Sequence, residues 1–232
     1  MPEAVEDVTY RHQDWYAEEL ADRHFVRCEF SHVDLTEAVS QGATFTECVF
    51  GNVALNASRH TDSAFTRCTF KRCNLFEAEF TGCKLVGSTF EQCDLRPLRV
   101  DGGDWSFVAL PGADLRGVRI TDVRMREVDL TGADLTGAVL TGVDLSGAQL
   151  HAAKLIRADL RGSDATTPAP IQVLGRFLRA LGVPGRRIGT DETEAAALLR
   201  SELADRRMLI LLDNAQDAAQ VRPLLPGPGA AT

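Results

Sequence analysis

The residues best equipped for chemistry are six cysteines: Cys28, Cys48, Cys68, Cys73, Cys83 and Cys93. Thiolates ligate soft metals and pair as disulfides, but the spacing here favours neither. There is no Cys-x-x-Cys pair, and no histidine is placed to complete a metal set. Cys28, Cys48 and Cys68 are 20 residues apart, as are Cys73 and Cys93. If residues so separated stack on neighbouring strands, their Cβ atoms lie about 4.8 Å apart, whereas a disulfide prefers ~3.8 Å. Cysteine then acts as a small buried hydrophobe. His12, His24, His32, His60 and His151 are scattered. No Gly-x-x-x-x-Gly-Lys-Ser/Thr loop is present to cradle a phosphate. No catalytic residue, metal or cofactor is expected, and the chain reads as a binding protein rather than an enzyme.

The element that positions the cysteines is an internal repeat. Every fifth residue from Tyr10 to Leu160 is apolar, except Ser40 and His60. No insertion interrupts the run. A second column two residues earlier is almost entirely small or modest in size from Arg23 to Ala158, and all six cysteines occupy it. Leu98 is its bulky exception. A period of five matches neither an amphipathic helix nor a strand. It fits a chain that turns a corner every five residues, four sides making a coil of 20. Identical residues recur at that interval: Phe30, Phe50, Phe70 and Phe90; Phe25, Phe45 and Phe65; Leu35, Leu55, Leu75, Leu95 and Leu115. Ser40 and His60 are also 20 apart, and His60 reads as a hydrogen-bonded interior group. Stacked columns would form a continuous core that each coil completes only against its neighbours. The fold class expected is all-β, a solenoid, with a small, mainly helical C-terminal tail.

Composition narrows the partner. The net charge of −8 argues against direct nucleic-acid binding, which needs Lys and Arg on phosphates, and suits a basic partner. No run of eighteen apolar residues exists to span a membrane. The acidic start MPEAVEDVTY lacks the apolar run of a secretory signal. A reducing, cytoplasmic setting is therefore expected for the thiols.

The recurring Ala-Asp-Leu at 113–115, 133–135 and 158–160 resembles the signature of the pentapeptide-repeat family, which implies a right-handed quadrilateral β-helix. RCEFSHVDL at 27–35, the run from Ser63 to Glu127 with its irregular Leu-Arg-Pro-Leu at 95–98, and the closing segment 143–164 are similar to the MfpA and Qnr group. That resemblance covers residues 22–164. It implies a DNA mimic that binds DNA gyrase, modulating supercoiling and protecting against quinolone-type inhibitors. Carboxylates on one side of the rod would carry the mimicry. The most acidic side holds Leu35, Leu55 and Leu75 inward and offers Asp34, Glu37, Glu77, Asp94, Asp114 and Asp134 outward. Arg96 and Arg116 share this side, and Asp before the central Leu also suits a turn-bonding role. The alternatives are a non-catalytic interaction scaffold with another partner, or a regulator with a degenerate nucleotide-binding tail.

Residues 1–21 read as a lead-in or cap, 22–164 as the solenoid, 165–170 (ATTPAP) as a linker, and 171–232 as the tail. Ile171, Leu174, Leu178 and Leu181 have helical spacing, ended by Gly182 and Pro184. Asp191 can cap a second helix running to about Glu202. MLILLD at 208–213 suits a buried strand and NAQDAAQV another short helix. The tail resembles part of the NB-ARC/STAND domain of actinobacterial regulators, in which Asp213 would match the Mg²⁺-associated Walker B acid. The phosphate loop that should precede it is replaced by the repeat, so nucleotide binding is not expected. MfpA-type proteins dimerise through a C-terminal segment. A homodimer through the C-terminal end is the corresponding expectation, with the segment 171–182 as a substitute cap.

Overall fold

The computed structural model describes residues 4–164, 170–189, 191–203 and 222–224. The chain divides into two units, Met1–Thr166 and Thr167–Thr232. The first is a four-sided parallel β-solenoid. Its sides are numbered in chain order. The first holds a four-stranded sheet from Val5–Glu6 to Ala64–Thr66, and the second a five-stranded sheet from Thr9–Arg11 to Thr89–Glu91. The fourth holds a six-stranded sheet from Val39–Gln41 to Val139–Thr141. The third, carrying Leu35, Leu55 and Leu75, is joined by isolated parallel bridges such as Asp34↔Ala54 and Ala54↔Asn74. Every pairing shifts by one 20-residue coil, as in Phe30↔Phe50↔Phe70↔Phe90.

Corners follow from local backbone chemistry. Two residues after the central side chain the backbone is left-handed, as at Glu37 (φ 58°) and Glu77 (φ 57°), except at Pro97, which follows a cis peptide bond. On the third side the central carbonyl then accepts the amide three residues on: Ala38 to Leu35 at 3.1 Å and Ala78 to Leu75 at 3.0 Å. That closes a turn requiring φ > 0 at its third residue.

The core is a set of stacked columns. Phe30, Phe50, Phe70 and Phe90 are nearly parallel, with centroids 4.8, 4.7 and 4.6 Å apart. Phe25, Phe45 and Phe65 repeat this at 5.0 and 4.7 Å. Leu35, Leu55 and Leu75 are buried beside them. Trp105 ends the aromatic half, edge-on to Phe80 at 5.6 Å; beyond it the columns are mainly aliphatic. Room for its coil comes from Gly103, where a Cβ would lie 2.1 Å from the carbonyl oxygen of Cys83 at a φ of +93°. Gly103→Ala is therefore expected to cost about 3 kcal/mol, measurable as a lowered urea midpoint.

The two ends differ. Residues 5–24 form a coil in register with the rest, Val5 pairing Phe25 and Tyr10 pairing Phe30. Its small-column positions hold Gln13, Glu18 and Arg23, with Arg23 to Glu18 at 3.2 Å, and Trp15 lies edge-on against Tyr10 at 4.9 Å. This end is polar and aromatic. At the other end Leu155 and Leu160, central residues of their sides, are 36% and 38% exposed.

In the second unit, helix α1 (Pro170–Ala180) packs on helix α2 (Glu192–Leu203). Leu174, Leu178, Val183, Ala195, Ala196, Leu199 and Leu203 form their core. The Asp191 carboxylate accepts the Glu194 amide at 2.9 Å, which caps α2. The expected linker lies almost wholly outside the described residues. So do the expected strand at 208–213, Asp213 and the helix at NAQDAAQV. No described helix is long and apolar enough to cross a membrane.

Candidate partner-binding face

The third side repeats one local device. The Asp before each central Leu turns its carboxylate back onto the main chain. Asp34 accepts the Thr36 amide at 2.9 Å, Asp94 that of Arg96 at 3.3 Å, Asp114 that of Arg116 at 3.3 Å and Asp134 that of Thr136 at 3.1 Å. Asn74 does the same for Phe76 at 3.0 Å. These side chains hold the turn and still direct negative charge outward, since a carboxylate has acceptor capacity to spare. Asp14 belongs to the same column, bonding the Tyr16 amide at 3.1 Å. Glu37 and Glu77 occupy exposed corners, and the Glu37 carboxylate beside the Tyr16 hydroxyl raises that hydroxyl's pKa.

The column is not uniform in charge. Asp114 is clamped by Arg116 at 2.7 Å and by Arg96 at 3.0 Å. The Arg116 hydrogen bond holds its carboxyl below the ordinary aspartate range. Asp134 has Lys154 at 3.6 Å, and its hydrogen bond to Thr136 lowers its pKa too. From Asp14 to Asp94 the side's outward positions carry Asp14, Asp34, Glu37, Glu77 and Asp94 and no basic residue. So the six carboxylates lie along one side, but only Asp34, Glu37 and Glu77 of them are free of basic neighbours on that side, since Arg96 follows Asp94 on the same coil. The first side differs again, with its acids bridged across coils: Arg27 to Asp7 at 2.8 Å, Arg67 to Glu47 at 2.8 Å and Arg124 to Asp104 at 3.1 Å.

The cysteines do more than fill space. The thiols of Cys48, Cys68, Cys73 and Cys93 donate to the carbonyls of Phe25, Phe45, Phe50 and Phe70, at 3.2–3.6 Å. Each acceptor is the central residue 23 positions earlier. These carbonyls also belong to the parallel ladders, so the thiol is a second donor to each. Ser88 makes the equivalent bond to Phe65 at 2.6 Å. Cys and Ser thus add a buried hydrogen bond at positions where Ala or Val only fills space. Burial pushes the Cys83 thiol up to about 11 and raises that of Cys68, so neither is a ready nucleophile. All six are free thiols, and no metal-ligating cluster occurs among the described residues. Cys48→Ser is expected to leave stability within about 1 kcal/mol of the parent, and Cys48→Val to cost more, because it loses the bond to the Phe25 carbonyl and crowds the buried column. Thermal unfolding of the pair checks this.

His60 sits in a buried polar network on the fourth side. Its Nδ1 is 2.7 Å from Ser40 Oγ and its Nε2 3.1 Å from Ser58 Oγ. Ser40 Oγ is also 2.9 Å from Ser63 Oγ. Phe80 stacks on the ring at 4.7 Å and Phe65 meets it edge-on at 5.2 Å. Burial depresses its pKa to about 3. Although a serine lies beside a histidine, His60 is only 3% exposed, and a substrate has no access to it.

Part of the chain matches the regulatory protein AfsR of Streptomyces griseus, 60% identical over 74 residues, which is 32% of this chain and 8% of that protein. The AfsR of Streptomyces coelicolor is 59% identical over 69 residues, 30% of this chain and 7% of its own length. The chain thus spans under a tenth of these relatives, a partial match to a STAND-type regulator. Among solved structures, a trypsin-treated form of QnrB1, a plasmid-mediated fluoroquinolone resistance protein, aligns over 77% of this chain and 96% of its own, at 18% identity and a TM-score of 0.43. HetL of the cyanobacterium Nostoc, a pentapeptide repeat protein involved in heterocyst differentiation regulation, aligns over 69% and 89% at 15% identity and a TM-score of 0.32. The family model for pentapeptide repeats matches residues 24–59, 61–96, 104–137 and 129–164. With its unbroken five-residue register and four-sided coil, the chain belongs to the pentapeptide-repeat family.

Proposed function

We propose that the solenoid binds DNA gyrase through its third side as a stand-in for duplex DNA, modulating supercoiling and the action of quinolone-type inhibitors. The observation that carries this is the run of carboxylates from Asp14 to Asp94 with no basic residue among them. They are spaced by the coil rise on a rigid rod. Such a strip meets Lys and Arg that otherwise meet phosphates. The sequence resemblance of residues 22–164 to the MfpA and Qnr group supports the choice of partner. Titrating the purified full chain into a gyrase supercoiling assay is expected to inhibit or otherwise alter the reaction at micromolar concentration, less so as salt is raised. An unchanged reaction would sink the proposal.

A scaffold for a different partner is the second reading. It is favoured by the neutralised stretch of the same side, where Arg96, Arg116 and Lys154 answer Asp114 and Asp134. The exposed Leu155 and Leu160 support self-association through the C-terminal end. A concentration-dependent sedimentation coefficient is the expected sign of it.

A further inference from the structure

The third side carries apolar groups that folding does not use. Tyr16 is 55% exposed and Phe76 43% exposed. Both occupy the outward position directly after a central residue, on the side that bears Asp14 to Asp94. They are three coils apart, about 14 Å at ~4.8 Å per coil. Between them this position is filled by the short neutral side chains of Thr36 and Asn56, beside Ala54 and Ala57. The result is a flat face with an aromatic ring at each end, bordered by Asp14, Asp34, Glu37, Glu77 and Asp94. The Glu37 carboxylate lies beside the Tyr16 hydroxyl. Past Asp94 the pattern changes, and the outward side chains become Arg96 and Arg116, committed to Asp114.

We infer that partner contact is confined to the N-terminal half of this side, with Tyr16 and Phe76 as its apolar anchors. The occupant is a protein surface with an apolar centre flanked by Lys and Arg, and in the reading given above, on which this inference rests, that surface belongs to gyrase. Two arguments point there. Half-exposed aromatic rings on a rigid scaffold lose little entropy on docking and tend to dominate interface energy. Asp14, Asp34, Glu37 and Glu77 lack basic neighbours on this side, and the Arg96 that follows Asp94 is paired with Asp114, so a cationic partner complements them; a nucleic acid would be repelled.

The test is equilibrium binding of the full chain to the gyrase holoenzyme. Phe76→Ala and Tyr16→Ala are each expected to weaken binding by about tenfold or more. The double variant Asp114→Asn/Asp134→Asn is expected to change it by less than about twofold. Thermal midpoints of the aromatic variants should match the parent, since neither ring is in the core. Tight binding by the parent with unchanged binding by both aromatic variants would overturn the inference and leave the gyrase reading standing. A larger loss from the Asp114/Asp134 double variant than from the aromatic variants would also overturn it. No binding by the parent would overturn the gyrase reading, and this inference with it.

Discussion

Phe50→Ala is expected to lower the unfolding free energy by about 4 kcal/mol. Phe50 has no solvent exposure. It lies between the parallel rings of Phe30 and Phe70, at 4.8 and 4.7 Å, and meets Phe45 edge-on at 5.6 Å. Burial of such a side chain contributes about 3 kcal/mol by transfer alone. The vacated space adds a cavity cost, because the neighbouring coils are tied by the Phe30↔Phe50↔Phe70 ladder and cannot close over it. Each coil of a solenoid is stabilised by its two neighbours, so the loss falls on two interfaces at once. Urea unfolding followed by circular dichroism measures it. A loss below about 2 kcal/mol would mean that the stack relaxes far more than a tied ladder permits.

Acidification should weaken the fold through one residue. Burial holds His60 at a pKa of about 3 in the folded protein, against 6.5 for an ordinary histidine. The unfolded chain therefore binds the proton first. Stability attributable to His60 is fully present above pH 6.5 and is lost as pH falls from there towards about 3. Across the whole window the loss is on the order of 5 kcal/mol, at about 1.4 kcal/mol per unit. The groups packed around the ring are Ser40, Ser58, Ser63, Phe65 and Phe80, and none of them can balance an imidazolium. His60→Phe should remove this part of the pH dependence. Ser40 would keep its contact with Ser63, and Ser58 its bond to the Leu55 carbonyl. The difference in unfolding free energy between parent and variant, followed from neutral pH to pH 4, should therefore change steadily in the variant's favour. Parallel curves would show that the network accommodates the charged ring.

These outcomes trace which features a sequence can display. The Phe and Leu columns are legible because a side chain that must meet its own kind 20 residues away leaves a literal periodicity. The turn-bonding Asp before the central Leu is legible for the same reason. Asp14 is harder to see. It belongs to the first described coil, whose small-column positions include Gln13, Glu18 and Arg23, so the inward rule fails there and the segment looks like a lead-in. The thiol-to-carbonyl bonds are hidden as well. They depend on where a central carbonyl comes within reach of the small column of the next coil, and residue size does not report that. Nor does linear spacing show that Arg96 and Arg116 both converge on Asp114, since that is a matter of side-chain conformation.

If the third side offers gyrase the charge pattern of duplex DNA, the full chain and a linear DNA duplex compete for the enzyme. Equilibrium competition binding is expected to show mutual displacement, with the chain's affinity falling as salt rises. Simultaneous, independent binding of DNA and the chain would contradict it.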